Sequence, residues 1–333
     1  ETDNLTIGGA QGSDGQVLTS TGSGVGWEDA GSGGSGATFK EEGTNFTNSI
    51  MVGDDATGTL DAATGNTGLG IDVFAALTSG DNNVAVGLNA LEAMTTGHST
   101  VAIGMNALFR TTTGVNSVGV GQEALQANTT GKHNVALGGF ALVSNTTADA
   151  NVAVGINVLQ ANTTGASNVA VGGFSLDAAT TASNNTAVGY GSLGSSTTAC
   201  CNTAIGRGAM EGCTTGEYNT AVGNLAMDAA LTGNFNTAIG RAALGATTTG
   251  SSNCAVGINA LAANTTGGNN CAMGDSALDV NTTGSNNVAI GDNALGAATT
   301  ATQNTAVGRI ALIALTTGAS NAAFGGNAGG AVT

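Results

Sequence analysis

Asn219-Thr220-Ala221-Val222-Gly223 decides the reading of this chain, because it recurs. Asn202-Thr203-Ala204-Ile205-Gly206 stands before it and Asn236-Thr237-Ala238-Ile239-Gly240 after it. The pentad glycine returns every 17 residues, seventeen times from Gly53 to Gly325, without a slip. A fixed short period is the mark of a repeat architecture and takes precedence over local propensity. Counting from that glycine as zero, Asn stands at −4 in fourteen of the seventeen repeats, and Leu or Met at +4 in fourteen. The full consensus is Asn-Thr/Val-Ala-Val/Ile-Gly-x-x-Ala-Leu-x-x-x-Thr-Thr-Gly-x-x.

Seventeen residues are too few for a pair of helices with turns. They suffice for two strands of about five residues and two corners, at about 3.3 Å per strand residue. The pentad alternates and is β-branched, which is a strand pattern. The sequence therefore predicts an all-β fold, a parallel β-solenoid or β-roll with two short strands per 17-residue coil. Seventeen coils at about 4.8 Å make a rod about 80 Å long.

Each column then acquires a task. Positions −3 and −1 are expected to fill the core, with Leu at +4 on the opposite wall. Structural turn glycines are predicted at Gly87, Gly104, Gly121, Gly138, Gly155, Gly172, Gly189, Gly206, Gly223, Gly240, Gly257, Gly274, Gly291 and Gly308, where the backbone turns with positive φ or approaches closely. Asn134, Asn151, Asn168, Asn185, Asn202, Asn219 and Asn236 stack on one another about 4.8 Å apart, and their amides are expected to form a ladder. The threonines at +8 and +9 stack similarly. The glycine at +10 gives way to Ala148, Ala182, Ala199 and Ala301, so no strict positive-φ requirement is expected there.

On this assignment position −2 faces outward. It is alanine in every coil from Ala85 to Ala323 except at Gly119. A long outer stripe of small apolar residues is what a second surface packs against. Ala204, Ala221, Ala238, Ala255 and Ala289 are accordingly predicted to form a lateral interface between copies of the chain. Cys254 and Cys271, which share column −3, are expected to be buried as small apolar residues. Cys200, Cys201 and Cys213 sit in or near turns, with pairing there left open.

Residues 1–37 lack the repeat and read as an attachment segment ending in the Gly/Ser linker Gly31–Gly36. Residues 38–65 are transitional, with a first degenerate coil around Gly53, and residues 66–333 form the solenoid. The stretch from Gly12 through Trp27, with Gln16–Ser20 as a short strand, resembles a module of phage tail fibres.

The in-phase pentads resemble the head repeats of YadA-type trimeric autotransporter adhesins. With their Ala-Leu and Thr-Thr-Gly tails they are also similar to stalks of phage fibres that carry an endosialidase-type chaperone. The resemblance covers residues 66–328. It implies a left-handed, homotrimeric roll displayed outside a cell or on a virion, with attachment as its role. The period here is longer than in the adhesin heads. Neither a neck, stalk or anchor nor a chaperone domain follows Phe324-Gly325, though in the phage-type family the chaperone is cleaved after assembly.

Composition narrows the function classes. The net charge of −16 disfavours nucleic acid. No apolar run is long enough for membrane insertion and no secretory leader is seen. After Gly87 ten acids and five basic residues are scattered over more than two hundred residues, which is poor material for a catalytic cleft. Gly119-Val120-Gly121-Gln122-Glu123-Ala124 matches a dinucleotide fingerprint only by coincidence of the repeat. His98 and His133 lack metal-ligating neighbours in sequence, and Asp54, Asp55 and Asp61 read as a solvated acidic turn. Adjacent threonines such as Thr129-Thr130 should face opposite ways, which does not suit an ice-binding surface.

The expectation is a non-enzymatic, extracellular or virion-borne rigid fibre, with no cofactor and no metal. Its partners would be copies of itself and a cell-surface or glycan receptor. The alternative is a filament subunit that polymerises head to tail through open solenoid edges and the N-terminal segment.

Overall fold

The computed structural model describes residues 62–330 throughout, the strand Ile50–Gly53, and the backbone of short strands between residues 6 and 47. The chain is a parallel β-solenoid. Seventeen strands, Ile50–Gly53, Thr67–Gly70 and then fifteen three-residue strands from Val84–Val86 to Ala322–Phe324, stack in sequence order. Each pairs with the next at a register of 17, so Thr220 lies beside Thr237, Ala221 beside Ala238 and Val222 beside Ile239. The period of the sequence is thus the period of the ladder.

The opposite wall differs from expectation: from Val84 onward a coil holds one strand, not two, and a second parallel pair, Phe46–Thr47 with Ala63–Thr64, forms only at the N-terminal end. After the strand, φ is positive at the pentad glycine and again at +2 and +4, as at Gly240 (135°), Ala242 (55°) and Leu244 (53°). Repeated left-handed residues fold the chain into consecutive tight turns, closed by Ala243 N–H to Gly240 O (3.4 Å) and Thr247 N–H to Leu244 O (3.1 Å). These turns still bond between coils, as Leu244 N–H to Ala260 O (3.0 Å) and Ala242 N–H to Asn224 O (3.0 Å). A backbone that turns so often spans a narrow coil that an extended strand would overshoot. Leucine is a poor left-handed residue, so the same leucines must recover that cost through packing. All lie in the core, from Leu91 to Leu312.

The core itself is thin. Ala at −2, Ala at +3 and Leu or Met at +4 are buried in nearly every coil, as Ala238, Ala243 and Leu244 are. This reverses the predicted facing of the strand. The −3 and −1 residues point outward, and the alanines point inward. Ala204, Ala221, Ala238, Ala255 and Ala289 are fully buried within their own chain and are not an interface. The physical reason is space, since the narrow coil accepts a methyl group where two facing β-branched side chains would not fit. Where Gly119 replaces the column alanine, an added Cβ would stand 3.0 Å from Leu108 Cδ1.

The predicted turn glycines hold. Between Gly87 and Gly308 each has φ between 116° and 145°. A Cβ on Gly206 would come within 2.5 Å of the carbonyl oxygen of Gly223 one coil on. The +10 glycines, by contrast, do not adopt positive φ. At the N-terminal edge of the ladder, Thr38–Lys40 runs antiparallel to Ile50–Gly53 and occupies its free side. Further upstream Gln16–Ser20 forms the expected strand, in an antiparallel hairpin with Val25–Asp29. The proposed linker at 31–36 and the acidic turn at 54–61 lie outside the described residues.

Candidate interaction surface

Two polar ladders hold the coils in register and so fix everything displayed outside. From Asn66 to Asn304 the −4 asparagines are buried. Asn236 donates from Nδ2 to Gly250 O of its own coil (2.9 Å), and its Oδ1 accepts the backbone N–H of Asn253 (3.0 Å). The predicted ladder therefore exists, but its main rungs run from side chain to backbone. Amide-to-amide bonds such as Asn253 Nδ2 to Asn236 Oδ1 (3.2 Å) add to it in some coils. A second ladder at +7, not foreseen from the sequence, runs from Asn128 through Asn145 to Asn162. Its two bonds are each 2.9 Å. The rung after Asn162 is Ala179, and Asn162 Oδ1 is buried without a partner. The signal for this ladder was weak because the +7 column carries Asn in only a minority of coils.

Most threonines at +8 donate from Oγ1 to the backbone carbonyl of the next coil, as Thr265 does to Thr282 O (3.0 Å). Those at +9 are exposed.

The outward face of the sheet is a continuous uncharged strip along the ladder. Columns −3 and −1 present Val, Ile, Leu, Thr, Cys, Met, Ala and Phe from Thr67 to Phe324, without one charged residue. Ile205 and Ile239 remain 41% and 42% exposed, although each has neighbours above and below. Sixteen strands at about 4.8 Å, presenting a strip about 10 Å wide, give a flat apolar surface on the order of 700 Å². Cys254 and Cys271 belong to this face. They are neighbours in register and half-buried, not enclosed in the core as expected, because column −3 points outward. Burial, and then the nearby Cys254, raise the Cys271 thiol pKa.

Charged groups lie elsewhere. Asp177, Glu211 and Asp228 share column +5 on the turn wall. Partial desolvation raises the pKa of Asp177 and Asp228, with a further push from Glu211. Asp279 in the same column is raised chiefly by desolvation, and its neighbour Asp275 adds to this. The exposed pair Arg309–Asp292 is joined at 3.3 Å. His98 and His133 are exposed, and no group of three or more His, Cys, Asp or Glu able to hold a metal occurs among the described residues. No helix among them is long and apolar enough to cross a membrane.

At the corner before the strand, column −5, Tyr218 and Phe235 stack with ring centroids 5.3 Å apart and planes 10° from parallel. Both are exposed. Cys213 is buried nearby in sequence, its thiol pushed up to about 11 by desolvation. Cys200 and Cys201 adjoin at the same corner as Tyr218, with sulfurs 3.1 Å apart.

No known protein family, curated protein or solved structure matches the chain. What it does has to be argued from these surfaces.

Proposed function

We propose that the protein is a non-enzymatic rigid fibre, extracellular or virion-borne, that assembles laterally with copies of itself as a homotrimer. The observation that carries this reading is the uncharged outward face of columns −3 and −1. Its area exceeds the usual apolar patch of a monomer. It approaches the 800 Å² or so that one partner contributes to a stable interface. A second copy fits it better than an unrelated partner does, since only another ladder offers side chains at the same spacing along the whole length. The resemblance to adhesin heads and phage fibre stalks supports the trimer, the left-handed sense and the attachment role.

The head-to-tail filament is less favoured. The strand edge at the N-terminal end is already occupied by Thr38–Lys40, which would have to leave before another coil could stack there.

Light scattering after size exclusion tests the assembly. The wild type should elute with the mass of three chains of 31.7 kDa. Ile205→Asp with Ile239→Asp should give a folded monomer, because the new carboxylates stay hydrated on a free face but would be buried unpaired in an interface. Ala221→Asp should unfold the local coils in any assembly state. A wild type that runs as a monomer overturns the lateral reading.

A further inference from the structure

Column −5 has positive φ in every described coil. Outside two adjacent coils it holds Gly, Asn, Ser, His, Ala, Cys or Gln. Small or polar residues are what a left-handed position tolerates best. Tyr218 and Phe235 break the rule with φ of 57° and 60°, and they do so together. Neither ring repays its conformation by burial: Tyr218 is 52% exposed and Phe235 61%. Beyond their stacking on each other the two strained residues gain no burial, which points to a task at the surface.

The stack forms a fin on an otherwise low corner. The next residues of the column are Ser252 and Asn269, both exposed and too small to cover the outer face of Phe235. Their side chains make no hydrogen bond to other described residues. They therefore stand one and two coils beyond the ring, about 4.8 and 9.6 Å along the axis, with donors and acceptors unspent. Beside Tyr218 lie the thiols of Cys201 and Cys200 and the Glu217 carboxylate, all close enough to raise its phenol pKa. The result is an apolar ring face beside a short polar ledge.

We infer that the Tyr218–Phe235 stack, with the ledge of Ser252 and Asn269, is a binding site for a neutral pyranose unit of a glycan. A pyranose carries one face of C–H groups, which the electron-rich face of an aromatic ring attracts. Its rim of hydroxyls suits a hydroxyl and an amide placed to fix orientation. Glu217 and the net charge of −16 disfavour anionic sugars and nucleotides. This names a receptor class for the attachment role and does not depend on lateral assembly.

Saturation-transfer NMR on the full chain, with millimolar methyl β-D-galactopyranoside and methyl β-D-glucopyranoside as probes, tests it. Transfer to at least one glycoside is expected. Tyr218→Asn with Phe235→Ser installs residues that the column carries elsewhere, so the coils should fold as before. The variant should lose transfer by roughly ten-fold, the scale of one aromatic contact, with unchanged circular dichroism and mass. Absence of transfer from the wild type to both glycosides overturns the site, as does transfer that survives the double substitution. A change of oligomeric mass without an effect on sugar would reassign the stack to a protein contact.

Discussion

Asn236 Oδ1 accepts the backbone N–H of Asn253 at 3.0 Å, so one buried side chain serves two coils at once. Its Nδ2 closes its own coil on Gly250 O at 2.9 Å. Asn236→Ala would leave both a buried N–H and a buried carbonyl without partners, at about 1–3 kcal/mol each. A loss of roughly 2–6 kcal/mol is expected in urea unfolding. Asn236→Asp should be no better, since it keeps the acceptor for Asn253 but turns the donor toward Gly250 into a second acceptor. A loss below about 1 kcal/mol for Asn236→Ala would mean that the coils are registered by the backbone ladder alone.

The two glycine columns should respond differently to the same change. Gly206→Ala places a Cβ 2.5 Å from Gly223 O at a φ of 135°. Conformational strain of about 1–3 kcal/mol then adds to the clash. Gly250→Ala also brings its Cβ 2.5 Å from a backbone oxygen, that of Gly267, but it meets no positive φ, and Ala148, Ala182, Ala199 and Ala301 show that coils shift to hold a methyl group in this column. Thermal melting should fall markedly for the first and by only a few degrees for the second. Equal losses would show that the +10 column is as restrictive as the pentad.

This contrast marks what the sequence discloses. A period of 17, the turn glycines and the leucine wall are legible because each has one physical cause repeated in phase. The facing of the strand is less plain, since Thr, Val and Ile at −3 and −1 look like core by hydrophobicity alone. Parity holds the missing clue: Asn at −4 and Ala at −2 lie on the same side of a strand. An asparagine that bonds Gly250 O inside the coil carries Ala238 inward with it. The second wall is illegible for another reason. Leu244 at φ 53° violates its own backbone preference, and only packing across the narrow core accounts for it.

Acid should stabilise the rod. Asp177, Asp228 and Asp279 have pKa values raised above 3.8, first by desolvation. A carboxyl whose folded pKa is raised favours the folded state when protonated. That contribution is present below the unfolded pKa and is lost as pH rises through the folded value. The melting temperature should therefore rise as pH falls from 7 toward the ordinary carboxylate range, about 3.9. Asp177→Asn, Asp228→Asn and Asp279→Asn combined should raise stability at pH 7 and flatten the profile. A triple variant with the wild-type slope would assign the pH dependence to the general negative charge.

Thiol labelling reads the outward face directly. Cys213 is buried and its thiol lies at about 11, so a maleimide should reach it only after denaturation. Cys200, held up to about 12 chiefly by its hydrogen bond with Cys201, should react slowly near neutral pH even though it is not buried. Cys254 and Cys271 are half-buried on the very strip assigned to lateral packing. In the Ile205→Asp, Ile239→Asp monomer they should label in the native state. In the assembled wild type, neighbouring copies should cover them and slow labelling by an order of magnitude or more, the factor that about 1.4 kcal/mol of protection gives. Tryptic peptides 133–207, 208–241 and 242–309 separate Cys200 and Cys201 from Cys213 and from Cys254 and Cys271 in mass spectrometry. Equal rates in wild type and monomer would leave the face uncovered, and the apolar strip would then need an occupant other than this chain.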